Sequence, residues 1–338
     1  FLYTWNGKEF TFVKDILWRS ALGMPTGIMG GSTTHAFADA SDDYLKIPGD
    51  MLQPNDGLYT MKVTSELWET IYLDKVELVA VDHPDSIDVF VPEQFTPPPF
   101  PGLKLVTVGR KIFPQTATDG DGSNVLPDLL EKDHRYVTGF KSDRYQGTAE
   151  MHELILDPGQ AVSTLFLTGW IFPTDASINV AMAQSSTFKV APPALEVRDK
   201  KGNWVVVIPN MGFPMGKDKT VVVDLKGKFL SQDHRVRIRT NMEIYWDQAF
   251  FSADSTTAPV VTSRMNPVTA DLHYRGFSRS YRKGGRYGPH WFDYADVDEN
   301  VRWRDLTGNY TRYGNVLPLL LAPDSKYIIS NAGDETAL

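Results

Sequence analysis

Asp119-Gly120-Asp121-Gly122-Ser123, followed by Asp128, is the segment whose residue types most directly suggest chemistry. Oxygen ligands at alternate positions, with glycines that let the backbone wrap tightly, suit a hard cation. Asp119, Asp121, Ser123 and Asp128 are therefore expected to ligate Ca2+. The segment departs from the EF-hand pattern: Leu130 stands at the twelfth position, where an acidic residue would close the loop, and Glu131 is adjacent. The plain alternative is a polar Gly/Asp turn ahead of a short helix.

A second candidate is the stretch from Tyr274 to Tyr313, crowded with Arg, Tyr, Trp and Gly. Flat aromatic faces stack on sugar rings, and guanidinium forks bind carboxylates or phosphates. Arg282, Arg286, Tyr287, Trp291 and Trp303 are the expected ligand-binding residues. The competing reading is an irregular segment that packs its aromatics inward and pairs its arginines with Asp293, Asp296, Asp298, Glu299 and Asp305. Two further carboxylates, Asp74 and Asp247, interrupt apolar strands, where a buried charge must be hydrogen-bonded or paired. They are expected to tie a loop or to meet an arginine such as Arg237 or Arg239; the alternative role is to accept a sugar hydroxyl.

Other reactive patterns are missing. The seven histidines (His35, His83, His134, His152, His234, His273 and His290) form neither His-x-x-x-His nor His-Glu-x-x-His. Neither a Gly-x-Ser-x-Gly elbow nor a Walker loop occurs, and Gly284-Gly285-Arg286 is too short a glycine signal for phosphate. Glycoside hydrolysis needs two carboxylates across a cleft. Glu69/Asp74 and Glu243/Asp247 are the pairs to inspect, but along one strand such spacings separate side chains by roughly 13 to 17 Å. No catalytic residue is assigned.

The elements that must position these residues are mostly strands. Gly (26) and Pro (22) recur at short intervals, and apolar residues alternate or come in short runs. Leu2 to Val13 is expected to form a hairpin, with Asn6-Gly7 supplying both positive-φ residues of a type I′ turn. Strands follow at Tyr59–Val63, Ile71–Val81 and Ile87–Val91. Pro97-Pro98-Pro99-Phe100-Pro101-Gly102 is a stiff extended boundary, and a polar connection to about Gln146 holds one short helix, Leu126 to Asp133. Eight more strands are expected in Leu154–Leu156, Thr164–Phe172, Ile178–Gln184, Ala194–Arg198, Trp204–Ile208, Thr220–Leu225, Arg235–Arg239 and Ile244–Phe251, with Lys200-Lys201-Gly202-Asn203 as a hairpin turn. Their spacing describes a sandwich or jelly roll. Ile71-Tyr72-Leu73-Asp74 and Ile244-Tyr245-Trp246-Asp247 echo each other, as two related units would.

Composition bounds the rest. The chain has 338 residues, 42% hydrophobic and 22% charged, which excludes a disordered polymer, a collagen and a coiled coil. A net charge of −8 argues against a nucleic-acid partner. No apolar run reaches the roughly 18 residues of a membrane-spanning helix. Cysteine is absent, which removes disulfides and thiolate metal sites. The chain opens at Phe1 within a strand pattern and is expected to be a processed or partial piece of something longer.

Tyr72-Leu73-Asp74-Lys75-Val76-Glu77-Leu78 resembles a late strand of galactose-binding-like jelly rolls. More broadly, Trp5-Asn6-Gly7, Asp15 to Pro25, Glu69 to Pro84, Gly169 to Ala176, and Arg237 to Asn241 with Tyr245-Trp246-Asp247 resemble a bacterial C-terminal region. That region accompanies FG-GAP/VCBS repeats in secreted proteins of the cartilage-acidic-protein-like (ASPIC/UnbV) group. The resemblance covers most of the chain and implies an extracytoplasmic, non-catalytic surface role; the propeller's calcium loops are not intact here.

The expectation is thus an all-β protein of two β-sandwich, jelly-roll-like units. Residues 1–100 would form the first, 101–146 a Pro/Gly-rich connection, 147–255 the second, and 256–338 an irregular aromatic and Arg-rich tail packed on the second. The expected function is extracellular recognition or scaffolding, with a glycan or other chains of a surface assembly as partners. A carbohydrate-active hydrolase and a structural subunit of a surface filament are the alternatives.

Overall fold

The computed structural model describes residues 1–16, 42–67, 70–97, 99–254, 258–285, 288–300, 310–324 and 326–338. The described residues are all-β apart from one α-helix and short 3-10 turns, and their strand pairs are antiparallel. The chain forms two units whose boundaries differ from those expected. The first takes residues 1–83, 260–281 and 290–338; the second takes residues 84–259 and 282–289. The division between the units falls at residues 83 and 84, before the expected Pro-rich boundary. The reason is upstream pairing: Gln94–Phe95 already pairs with Phe213–Pro214, and the Gln94 amide bonds both the N–H and the carbonyl of Val222.

The first unit is built on a six-stranded sheet in the order Phe10–Lys14, Leu2–Trp5, Met61–Thr64, Asp334–Ala337, Asp271–Tyr274, Gly314–Asn315. Period-two alternation gives the sheet two apolar faces of different chemistry. Leu2, Val13, Val63 and Leu272 face an aliphatic core with Val316, Leu320 and Ile328. Tyr3 and Phe12 face the other way and meet Tyr294 and Trp291, with ring centroids 4.9 and 4.8 Å apart. This corrects the expected tail. Phe277–Arg282 and His290–Asp298 are paired strands, and their aromatics belong to the first unit because they complete its second face.

The second unit is a sandwich. One sheet runs Thr116–Asp119, Thr148–Asp157, Val236–Met242, Ala194–Arg198, Trp204–Ile208; the other runs Lys219–Asp224, Thr164–Ile171, Ile244–Ser252. Leu154, Leu156, Leu195, Val197 and Ile238 from the first sheet pack on Leu165, Leu167, Val221, Val223 and Phe251 from the second. Each such side chain contributes about 1.5–3 kcal/mol on burial. The three-stranded sheet is buried on both faces, since Phe166, Val222 and Phe250 pack on Phe90 and Val108 behind it. That double burial is why its strands read as continuous apolar runs.

Local departures have local causes. Ala176–Gln184 is an α-helix where a strand over 178–184 was expected: Asp175 caps it, its carboxylate accepting from Ile178 N at 2.8 Å, and this outweighs the β-branched Ile178 and Val180. The expected helix at 126–133 is a 3-10 turn, Leu126–Leu129. The long strand expected over 71–81 divides into Ile71–Leu73 and Leu78–Asp82, because the halves pair with different partners, Ile328–Ser330 and Val261–Met265. In the first hairpin only Gly7 has positive φ; Trp5 pairs with Phe10 across a longer loop, in which Asn6 Oδ1 accepts from the N–H groups of Lys8 and Glu9.

Candidate metal centre

Three residues from separate parts of the second unit converge. One ligand atom each from His134, Asp218 and Asp247 lies within 4.8 Å of the other two. Register explains two of them. Gly169 pairs with Lys219 on one side and Trp246 on the other, which brings Asp218, just before its strand, level with Asp247. A β-bulge sits there: Thr168 pairs with Gln248 and Gly169 with Trp246, leaving Asp247 as the extra residue. Bulges re-aim side chains, and here alternation is reset so that Trp246 and Ala249 share the core face. Gly169 permits the close approach, since a Cβ there would lie 2.4 Å from the Tyr245 carbonyl oxygen.

His134 comes from a loop fixed to the bulged strand. Val137 N donates to Trp246 O at 2.9 Å, and the His134 N–H donates to Asp247 Oδ1 at 2.8 Å. The Asp133 N–H reaches the same oxygen at 3.3 Å. Gly284 packs on this loop, where a Cβ would lie 2.4 Å from His134 O. His134 and Asp218 are two of three non-glycine residues with positive φ among the described residues, at 65° and 59°. Such backbone costs energy and persists only where surroundings enforce it.

The electrostatics are uneven. Asp247 is 1% exposed, and its Oδ2 is buried with no hydrogen-bond partner. Burial pushes its carboxyl up to about 6, the nearby Asp218 charge adding to the effect and His134 opposing it. Burial acts on Asp218 in the same sense, but His134 Nε2 at 3.5 Å and Lys132 Nζ at 3.1 Å outweigh it and hold that carboxyl well below the usual range. Burial, then the Asp218 and Asp247 charges, raise the Tyr136 phenol. One carboxyl raised beside one lowered is the pattern of acid–base pairs, yet the burial of Asp247 keeps a substrate from touching it. An imidazole and two carboxylates are donors for a divalent metal ion.

The residues singled out in the sequence fare differently. Asp119 Oδ1 accepts from the N–H groups of Asp121 at 3.0 Å and Ser123 at 2.8 Å, so this carboxylate holds the turn itself. Among the described residues, Asp119, Asp121 and Asp128 form no three-ligand group. Trp291 is 4% exposed and meets Phe12 edge-on, which corrects its assignment as a stacking surface: its ring completes the core of the first unit. The Arg282 guanidinium donates to Gly288 O at 2.8 Å. Arg286, Tyr287, Trp303 and Glu69 lie outside the described residues. Asp247 meets neither Arg237 nor Arg239, because the bulge turns it toward His134 and those arginines pair elsewhere.

Their pairing builds a second feature, on the outer face of the five-stranded sheet. Arg237 bonds Glu196 through Nε at 2.6 Å and Glu153 through Nη1 at 3.1 Å; Arg239 Nε lies 3.4 Å from Glu153. Half-buried Trp204 lies against this row, its ring centroid 4.2 Å from the Arg198 guanidinium carbon and 4.9 Å from that of Arg237. Neither Trp204 nor the cluster of His134, Asp218 and Asp247 carries a sequence motif; the signals were the acidic break in the Ile244–Phe251 run and the alternation of Arg and Glu along neighbouring strands. No family model, curated protein or solved structure matches the chain.

Proposed function

We propose that the chain is a non-catalytic recognition or scaffolding module that works outside the cytoplasm and takes a carbohydrate on the outer face of its five-stranded sheet. The observation that carries this reading is the fixed row of Glu153, Arg237 and Glu196 beside the Trp204 indole. Ring and guanidinium planes offer apolar contact, and the carboxylates and N–H groups offer the donors and acceptors that sugar hydroxyls need. Because ion pairs already hold these side chains, a ligand meets a surface whose rotamer freedom is largely spent. The sequence resemblance to the ASPIC/UnbV-associated region supports the extracytoplasmic setting.

Glycan-array binding of the full chain, repeated with Trp204→Ala and Arg239→Ala, tests this. Trp204→Ala is expected to weaken binding about tenfold, equivalent to about 1.4 kcal/mol, and Arg239→Ala, whose side chain is 47% exposed, by less. Absence of any bound glycan, or undiminished binding in both variants, would overturn the proposal.

A further inference from the structure

The geometry points to a divalent transition-metal site in the second unit, formed by His134, Asp218 and Asp247. It is independent of the sheet face described above. Two observations carry it. The first is convergence: an imidazole nitrogen and two carboxylate oxygens lie within 4.8 Å of one another. Donors held about 2.0–2.2 Å from a common ion stand roughly 3 to 3.5 Å apart, a spread that small side-chain rotations from this arrangement would close. The second is the orphaned oxygen. Asp247 is 1% exposed, and its Oδ2 is buried without a hydrogen-bond donor. A buried carboxylate oxygen without a donor is costly, and here its neighbour in the cluster is another carboxylate rather than an arginine. A divalent cation supplies the missing partner and cancels the like charges.

The donor set selects the ion. Ca2+ and Mg2+ prefer oxygen ligands alone, whereas imidazole suits Zn2+ and its first-row neighbours. Three protein donors leave at least one position for water, and access is from the side of His134 and Asp218, whose side chains are 22% and 11% exposed. The backbone supports the ligands: Asp247 Oδ1 is anchored by the N–H groups of Asp133 and His134, leaving the second oxygen for the metal. Lys132, 3.1 Å from Asp218, would swing toward solvent as the ion replaces its charge.

The test is calorimetric titration of the chelator-stripped full chain with Zn2+, with Ca2+ as comparison. One Zn2+ per chain is expected, with Ca2+ binding far more weakly. Asp247→Asn keeps the shape and both backbone contacts and is expected to weaken Zn2+ at least tenfold, while Asp119→Asn leaves it unchanged. Asp218→Asn, at a half-buried position, carries the same expectation should Asp247→Asn fail to fold by far-ultraviolet circular dichroism. No saturable uptake by the unaltered chain at millimolar Zn2+, wild-type affinity in the Asn variants, or a preference for Ca2+ would each overturn the proposal.

Discussion

Each unit buries acidic side chains, and one cluster taken from each shows the resulting problem met in two different ways. In the first unit Glu66 and Glu335, at 3% and 2% exposure, bracket one guanidinium: Arg275 lies 3.3 Å from Glu66 and 3.4 Å from Glu335. Every remaining demand is met. Ser278 gives Glu66 its N–H at 2.8 Å and its hydroxyl at 2.7 Å, while the Tyr294 hydroxyl donates to Glu335 at 2.8 Å and Lys62 Nζ lies 3.3 Å from Glu335. In the second unit Asp247 has two N–H donors on one oxygen, none on the other, and a second carboxylate for a neighbour. A completed buried ion-pair network is a structural brace. An incomplete one, held on strained backbone, has room in its bonding for something more.

The largest expected effect breaks the completed cluster. Arg275→Met removes the guanidinium that buried Glu66 and Glu335 share, with Lys62 still beside Glu335, and is expected to cost about 3–5 kcal/mol. Urea denaturation would show this as a lowered midpoint; a loss under 1 kcal/mol would mean that the network braces nothing.

A smaller effect separates the clusters by pH. The Asp247 carboxyl is raised by burial to about 6, so the folded chain binds its proton more tightly than the unfolded chain does. Stability is then fully present below the unfolded value near 4 and falls as pH rises toward 6, by about 2 kcal/mol. Asp218, lowered by His134 and Lys132, has the opposite slope, but only below pH 4. Burial lowers the His152 imidazole and tilts the curves of both proteins the other way, so between pH 4 and 7 it is the difference between wild type and Asp247→Asn that should fall as pH rises. Identical slopes in both proteins would remove the raised carboxyl from the account.

The smallest effect comes from a carboxylate that is neither ion-paired nor orphaned. Asp119 holds its turn through two N–H groups, so Asp119→Ala is expected to cost about 1–2 kcal/mol, with no effect on Zn2+ uptake. Thermal unfolding measures the first and calorimetry the second.

How far these differences could be read from the sequence depends on range. Ala194–Arg198 and Trp204–Ile208 are strands by their own alternation and by the Asp199 turn between them, where Asp199 Oδ1 bonds Lys201 and Asn203. The helix at Ala176–Gln184 was signalled by Asp175 and masked by β-branched residues. The sheet of the first unit was out of reach, because its strand Asp334–Ala337 inserts between Met61–Thr64 and Asp271–Tyr274, and no local pattern encodes such pairing. The same holds for the cluster. Asp247 stood out as a charge in an apolar run, but nothing around Lys132-Asp133-His134 or Lys217-Asp218-Lys219 announces a partner. Their meeting depends on a one-residue bulge and two positive-φ positions.

Zinc-edge X-ray absorption of the zinc-loaded full chain addresses the second cluster directly. A shell of nitrogen and oxygen at about 2.0–2.2 Å is expected, with the outer-shell scattering of a single imidazole, lost on His134→Gln. An all-oxygen shell, or an imidazole signature that survives His134→Gln, would contradict it.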